Sequence, residues 1–152
     1  METKIEIKSI SGKVLFEHTA ENNTIRKTLE EAVKSGAYLR GAYLRGADLG
    51  DADLGGAYLG GAYLRGAYLR GADLGDWGKI QNPSDILSIG AIGSRSGYTM
   101  IFRTDKGLFV QCGCFRGTIE EFETKVKETH KGNKHEKDYM AMIEFAKIKF
   151  AE

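Results

Sequence analysis

Apolar and polar positions follow three different periods along the chain, and each predicts a different kind of element. Residues 4–18, KIEIKSISGKVLFEH, alternate: Ile5 and Ile7 sit between Lys and Glu, Ser11-Gly12 offers a turn, and Val14 and Phe16 resume the pattern. That is the reading of a β-hairpin with one apolar face. Asn22-Asn23-Thr24 then precedes IRKTLEEAVKS, where Ile25, Leu29 and Val33 share a helical face with Ala32 beside them. The helix should stop at Ser35-Gly36, because glycine closes a helix without steric cost. Near the C-terminus Ile86–Ile92 is a candidate strand, followed by a glycine-rich turn, GSRSG, at 93–97. YTMIFRT and LFVQCGC predict a hairpin around Asp105-Lys106-Gly107. Thr118-Ile-Glu-Glu121 is a capping box opening a helix with Ile119, Phe122 and Val126 on one face. A second helix is expected from about Glu136, with Tyr139, Ile143, Ala146 and Phe150 aligned.

Between these flanks the period becomes five. From Ala37 the chain reads AYLRG AYLRG ADLGD ADLGG AYLGG AYLRG AYLRG ADLGD, eight units without an insertion. Neither regular element accepts that period. On a helix five residues overshoot a turn by about 140°, so the leucines would spiral around the axis. On a continuous strand an odd period sends successive leucines to opposite faces. A short extended piece and a corner, once per unit, satisfies both constraints. Ala and Leu then point inward, Tyr or Asp and Arg or Gly point outward, and the fifth residue occupies the turn.

Tandem A(Y/D)LXG resembles the pentapeptide-repeat family, whose pattern is A(D/N)LXX. The resemblance covers residues 37–76 and implies a right-handed quadrilateral β-helix with four units, about 20 residues, per coil. The expected fold class is therefore mainly β, a two-coil solenoid with a hairpin and helix cap before it and an α+β unit after it. The corresponding division is 1–36, 37–76, a connector at 77–83, and 84–152. The chain departs from the family pattern after Ala, where Tyr38, Tyr43, Tyr58, Tyr63 and Tyr68 replace the usual Asp or Asn. A 20-residue coil would set Tyr38 against Tyr58, Tyr43 against Tyr63, Arg45 against Arg65, Asp48 against Tyr68 and Asp53 against Asp73. Trp77, just after the last unit, would plug the exit of the stack.

Composition narrows the functional classes. The 152 residues carry 22 basic and 21 acidic side chains, a net charge of +1, which argues against both a nucleic-acid binder and an acidic DNA mimic. Some members of the family bind DNA gyrase as DNA mimics, but the repeat here has five Asp against four Arg. No apolar run is long enough to span a membrane, and nothing at the N-terminus reads as a signal peptide, so a cytoplasmic protein is expected. The leading expectation is a non-enzymatic scaffold that binds a protein partner through a Tyr/Arg face. Its candidate residues are Tyr38, Tyr43, Tyr58, Tyr63, Tyr68, Arg40, Arg45, Arg65 and Arg70, the residue types enriched at binding hot spots. Self-association is open. The alternative is a small-molecule or nucleotide-binding module in which Tyr stacks and Arg pairs with phosphate. No cofactor is expected. Cys112, Cys114, His130 and His135 form a four-ligand inventory for zinc, with C-x-C spacing that favours simple packing. A Cys114–His130 thiol enzyme lacks an orienting acid. GAIGSRSG at 90–97 lacks the Gly-Lys-Ser/Thr ending of a phosphate loop and reads as a turn.

Overall fold

The computed structural model describes residues 1–82, 84–93 and 97–151; Pro83 of the connector and residues 94–96 of the turn expected at 93–97 lie outside these. Strands β1 (Glu2–Lys8) and β2 (Val14–Glu21) form the N-terminal hairpin, with Ile5 opposite His18 and Ile7 opposite Phe16. Asn23 joins the hairpin to helix α1 (Ile25–Lys34). Its Nδ2 donates to the carbonyls of Thr3 and His18, at 3.2 and 2.9 Å, while its Oδ1 accepts from the Thr28 hydroxyl at 3.2 Å. Thr24 caps the helix by accepting from the Lys27 amide. At the other end the Gly36 amide bonds the Val33 carbonyl and the Ala37 amide bonds the Ala32 carbonyl. Gly36 has φ +71°, so the stop is the predicted left-handed glycine cap.

In the repeat, seven successive Ala amides, from Ala42 to Ala72, each donate to the Leu carbonyl three residues earlier. Each unit therefore closes its own β-turn, with a positive φ at the fifth residue. Asp51 takes that conformation, at φ +56°, in the one corner within the array that lacks glycine. The turns form two tiers, 37–56 and 57–76. Leu44, Leu49 and Leu54 donate to the carbonyls of Tyr63, Tyr68 and Asp73, at 2.9, 2.8 and 2.7 Å. The offset of 20 is thus the one expected for the Tyr43–Tyr63, Asp48–Tyr68 and Asp53–Asp73 pairs.

A right-handed quadrilateral β-helix is nevertheless overturned as the fold class. Among the described residues the regular elements are two small antiparallel sheets, three α-helices and a single 3-10 turn at Gly75–Trp77, and residues 37–76 contain no strand. Contacts between the tiers are isolated bridges, without solenoid closure. The reason is local: a turn closes every fifth residue, leaving one ladder position per side, too short a piece to count as sheet. Nor does Tyr38 bridge Tyr58 among the described residues. The Ala37 amide is turned back to α1, and the first unit keeps a bond to the lower tier at its corner, from the Gly41 amide to the Gly60 carbonyl at 3.0 Å.

The C-terminal part is a four-stranded antiparallel meander, β3 (Ile86–Ile92), β4 (Gly97–Thr104), β5 (Gly107–Cys112) and β6 (Phe115–Thr118), followed by α2 (Ile119–Thr129) and α3 (Lys134–Lys149). The capping box at Thr118 and Glu121 is present. β6 is an addition to the predicted hairpin. Strand β4 is buried on both faces: Met100 and Phe102 join the core of the repeat, while Ile101 joins Val110, Ile119, Phe122, Val126 and Ile143. One apolar core therefore runs from Ile7 and Leu29, through the inward Ala and Leu rows, to Ile80, Met100 and Phe102. Trp77 packs, partly buried, against the core of the repeat and lies flat against Phe109, with ring centroids 5.2 Å apart, while Ile80 is fully buried beneath the second tier. Among the described residues no helix is long and apolar enough to cross a membrane.

Glu123 on α2 ties the two C-terminal helices together, reaching Lys127 and Lys147 at 2.9 Å each. Hydrogen bonds from Lys127, then Lys147, hold its carboxyl below the ordinary value. A depressed folded-state value contributes stability above the unfolded value and loses it as pH falls through the folded one. Both lysines are substantially exposed, so the expected contribution is only about 0.3–0.5 kcal/mol. Denaturation of wild type against Glu123→Gln should show this gap near neutral pH and lose it as acid protonates the carboxyl. A gap that persists in acid would mean the glutamate acts by packing.

Candidate binding cleft

The outward second position of each unit holds either Asp or Tyr, and the two do different work. Asp48, Asp53 and Asp73 each accept, through Oδ1, the amide two residues on, Gly50, Gly55 and Gly75, at 3.2, 3.3 and 2.8 Å. These acids brace their own corners. The tyrosines have no such duty, and their rings are left at the surface. Tyr43 and Tyr63 stack on each other, with centroids 5.5 Å apart and planes 7° from parallel. Tyr68 packs its ring beside Gly50.

Tyr38, Arg40 and Tyr58 face the C-terminal sheet instead. Together with Tyr98, Gln111 and Cys114 they line a cavity of 210 Å³. A second cavity, of 270 Å³, shares Arg40, Tyr98 and Cys114 and extends between β5 and α2 to Lys125, His130 and Tyr139. No Asp or Glu is among the described residues lining either one. The combined cleft thus offers three exposed tyrosine rings, the cations of Arg40 and Lys125, and no competing carboxylate. Arg116 braces its rim. Its guanidinium carbon lies 4.7 Å from both the Tyr58 and Trp77 rings, and Nη1 donates to the Gly56 carbonyl at 2.8 Å. Gln111, almost fully buried, fixes the floor: its Oε1 accepts the Leu59 amide at 2.8 Å and its Nε2 donates to the Ala57 carbonyl at 3.3 Å.

Residues 29–59 and 47–76 match the family model for pentapeptide repeats, in eight copies. Residues 29–76 are a pentapeptide-repeat segment. Comparison with curated proteins and with solved structures gives no match.

Of the nine expected site residues, the pentapeptide repeats bring Tyr38, Arg40 and Tyr58 into this cleft. Tyr63 and Arg65 line a different groove, of 540 Å³, against Ile10 and β3. Tyr43, Tyr68, Arg45 and Arg70 are exposed and line neither the cleft nor that groove. The zinc inventory does not assemble: among the described residues no group of three or more His, Cys, Asp or Glu could hold a metal. Cys112 and Cys114 do not share a strand face, because Gly113, at φ +57°, turns the chain between β5 and β6. Cys112 accepts from the Thr99 hydroxyl at 3.2 Å and lies 3.8 Å from the Tyr139 hydroxyl, while Cys114 is exposed. His130 and His135 sit ring to ring at 5.6 Å. Sequence reasoning missed Tyr98, Gln111 and Arg116. The available signal was the double apolar parity of Thr99–Phe102, which requires a partner on each face of the strand and so places Tyr98 near the repeat.

Proposed function

We propose that the chain is a non-enzymatic interaction module that docks a protein partner in the cleft between its pentapeptide repeats and its C-terminal sheet. The observation that carries this reading is the convergence of Tyr38, Arg40, Tyr58 and Tyr98 on one cavity without a carboxylate. Exposed Tyr and Arg around a concave, braced floor are the ingredients of an interface hot spot. The floor is part of the fold, so little ordering is needed on binding. A partner recovered by affinity capture should bind Arg40→Ala and Tyr58→Ala roughly 30-fold more weakly than wild type, the loss expected of a hot-spot truncation. Arg70→Ala, outside the cleft, should be neutral. Equal affinity for all four proteins would sink the cleft as the docking site.

A second reading rests on Arg40, Lys125 and His130 lining one carboxylate-free cleft: a small planar anion such as a nucleotide, stacked on tyrosine. Thermal-shift screening with nucleotides separates the two. Stabilisation that disappears in Arg40→Ala favours the small ligand, and no stabilisation by any nucleotide removes it.

A further inference from the structure

The lower edge of the second tier is closed at the fifth and eighth units and open at the sixth. Apart from the Gly71–Ile80 bond it is also open at the seventh, where the Leu69 amide and Ala67 carbonyl have no hydrogen-bond partner among the described residues. At the fifth unit, Gln111 pairs with the Leu59 amide and the Ala57 carbonyl. At the eighth, the returning chain pairs with it: Leu74 donates to Gly78, and Ile80 donates to Ala72, at 2.8 and 3.0 Å. At the sixth unit, among the described residues, the amides of Leu64 and Gly66 and the carbonyl of Ala62 have no hydrogen-bond partner. One tier up, the equivalent groups are all used. Leu44 donates to Tyr63, Gly46 donates to Arg65, and Ala42 accepts from Tyr63, at 2.9, 3.0 and 2.8 Å. The groove beneath the sixth unit has a volume of 540 Å³, an apolar lining that includes Leu64, Leu69, Ile86 and Met100, and Arg65 as its one charged residue among those described.

We propose that this slot binds an extended peptide segment of a partner protein, added as one more rung beneath the sixth repeat unit. Two donors and an acceptor in the arrangement used by the tier above are a template for one strand. The same geometry sets the side chains. The residue that donates to Ala62 and accepts from Leu64 points outward. Its predecessor lies beneath Ala62 and must be small. Its successor lies beneath Leu64, against Ile86 and Met100, and must be apolar. The next lies beneath Arg65, where an acidic side chain completes the charge. The peptide class is therefore small, any, apolar, acidic. A second copy of the chain fits poorly. Its other tier edge is closed by the Tyr43–Lys8 hydrogen bond and the Ser9–Ala42 bridge. Its own slot is recessed beside β3 and offers far fewer residues than the roughly 20–30 per side of a stable interface. The slot and the Tyr/Arg cleft are different cavities that share Tyr98 as a common wall.

The test uses the whole chain and the probe acetyl-Ala-Thr-Leu-Asp-Gly-amide, followed by amide exchange in two-dimensional NMR. Saturable protection of the Leu64 and Gly66 amides is expected. A probe methylated on the Thr nitrogen cannot donate to Ala62 and should bind about 5–10-fold more weakly. Ser88→Trp, which fills the groove from an exposed position on β3, should abolish binding, while Arg40→Ala in the cleft should leave it unchanged. Failure of the probe to protect either amide overturns the proposal. So does protection that rises with protein concentration in the absence of probe, which would assign the slot to a second copy.

Discussion

Asp85→Ala is expected to destabilise the chain by about 3–5 kcal/mol, the usual result of stripping one partner from a buried ion pair. Asp85 is 1% exposed. Its Oδ1 accepts from Arg103 Nε at 2.9 Å and meets Nη2 at 2.7 Å. Its Oδ2 accepts the amides of Asn82 and Gln81, at 2.9 and 3.3 Å. Its backbone carbonyl also takes the Arg103 amide at 2.7 Å. One carboxylate therefore fixes the connector to β4, and the connector carries Ile80 beneath the second tier. Alanine would leave two part-buried amides without their carboxylate acceptor and take the Asp85 carboxylate away from the Arg103 guanidinium. In a chain of this length that loss corresponds to a fall in melting temperature of roughly 6–20 °C. Asp85→Asn, which keeps the shape and one acceptor, should lose distinctly less. Thermal or urea unfolding of the two variants decides the matter: if Ala and Asn are equally mild, the carboxylate is not what holds the connector.

How much of this was legible in the sequence depended on the range of the interaction. The N-terminal hairpin, the glycine stop after Ser35, the capping box at Thr118 and the buried faces of α1 and α2 follow from residues within a few positions of each other, and their patterns carry through. The 20-residue offset between Tyr43 and Tyr63 was also readable, since a repeat encodes its own register. The fold class was not. A turn at every fifth residue and only two tiers leave isolated bridges where a longer array would have built continuous ladders. β6 escaped because four residues after the Cys112-Gly113-Cys114 turn carry too short an alternation to register. The cleft was half legible. The outward Tyr and Arg positions follow from the period, but their division among a cleft, a groove and open surface depends on where the sheet docks. Docking of that kind is set by side chains such as Gln111 and Asp85, whose partners in the repeat or on β4 are distant in sequence.

Gln111→Leu shows how the sheet is held. The variant keeps roughly the volume of the side chain and removes both its polar atoms, so any loss reports hydrogen bonding more than packing. In the native chain the Gln111 carboxamide stands where the backbone of a third tier would lie. It accepts the Leu59 amide and donates to the Ala57 carbonyl, as Tyr63 does for the tier above. With leucine, both backbone groups stay covered by the sheet and lose their partners. A buried unsatisfied group costs about 1–3 kcal/mol, and two of them set an expected loss of about 2–4 kcal/mol, allowing for some relaxation. Gln111→Glu separates the two bonds. It can still accept from Leu59, but it sets a second oxygen against the Ala57 carbonyl and buries a charge, so its loss should grow as pH rises through the carboxylate range. The contrast between a pH-independent Leu variant and a pH-dependent Glu variant is readable by urea denaturation. Should both behave like wild type, the carboxamide does not close the edge. The fifth unit would then be as open as the sixth, and the strand-accepting slot would extend along both.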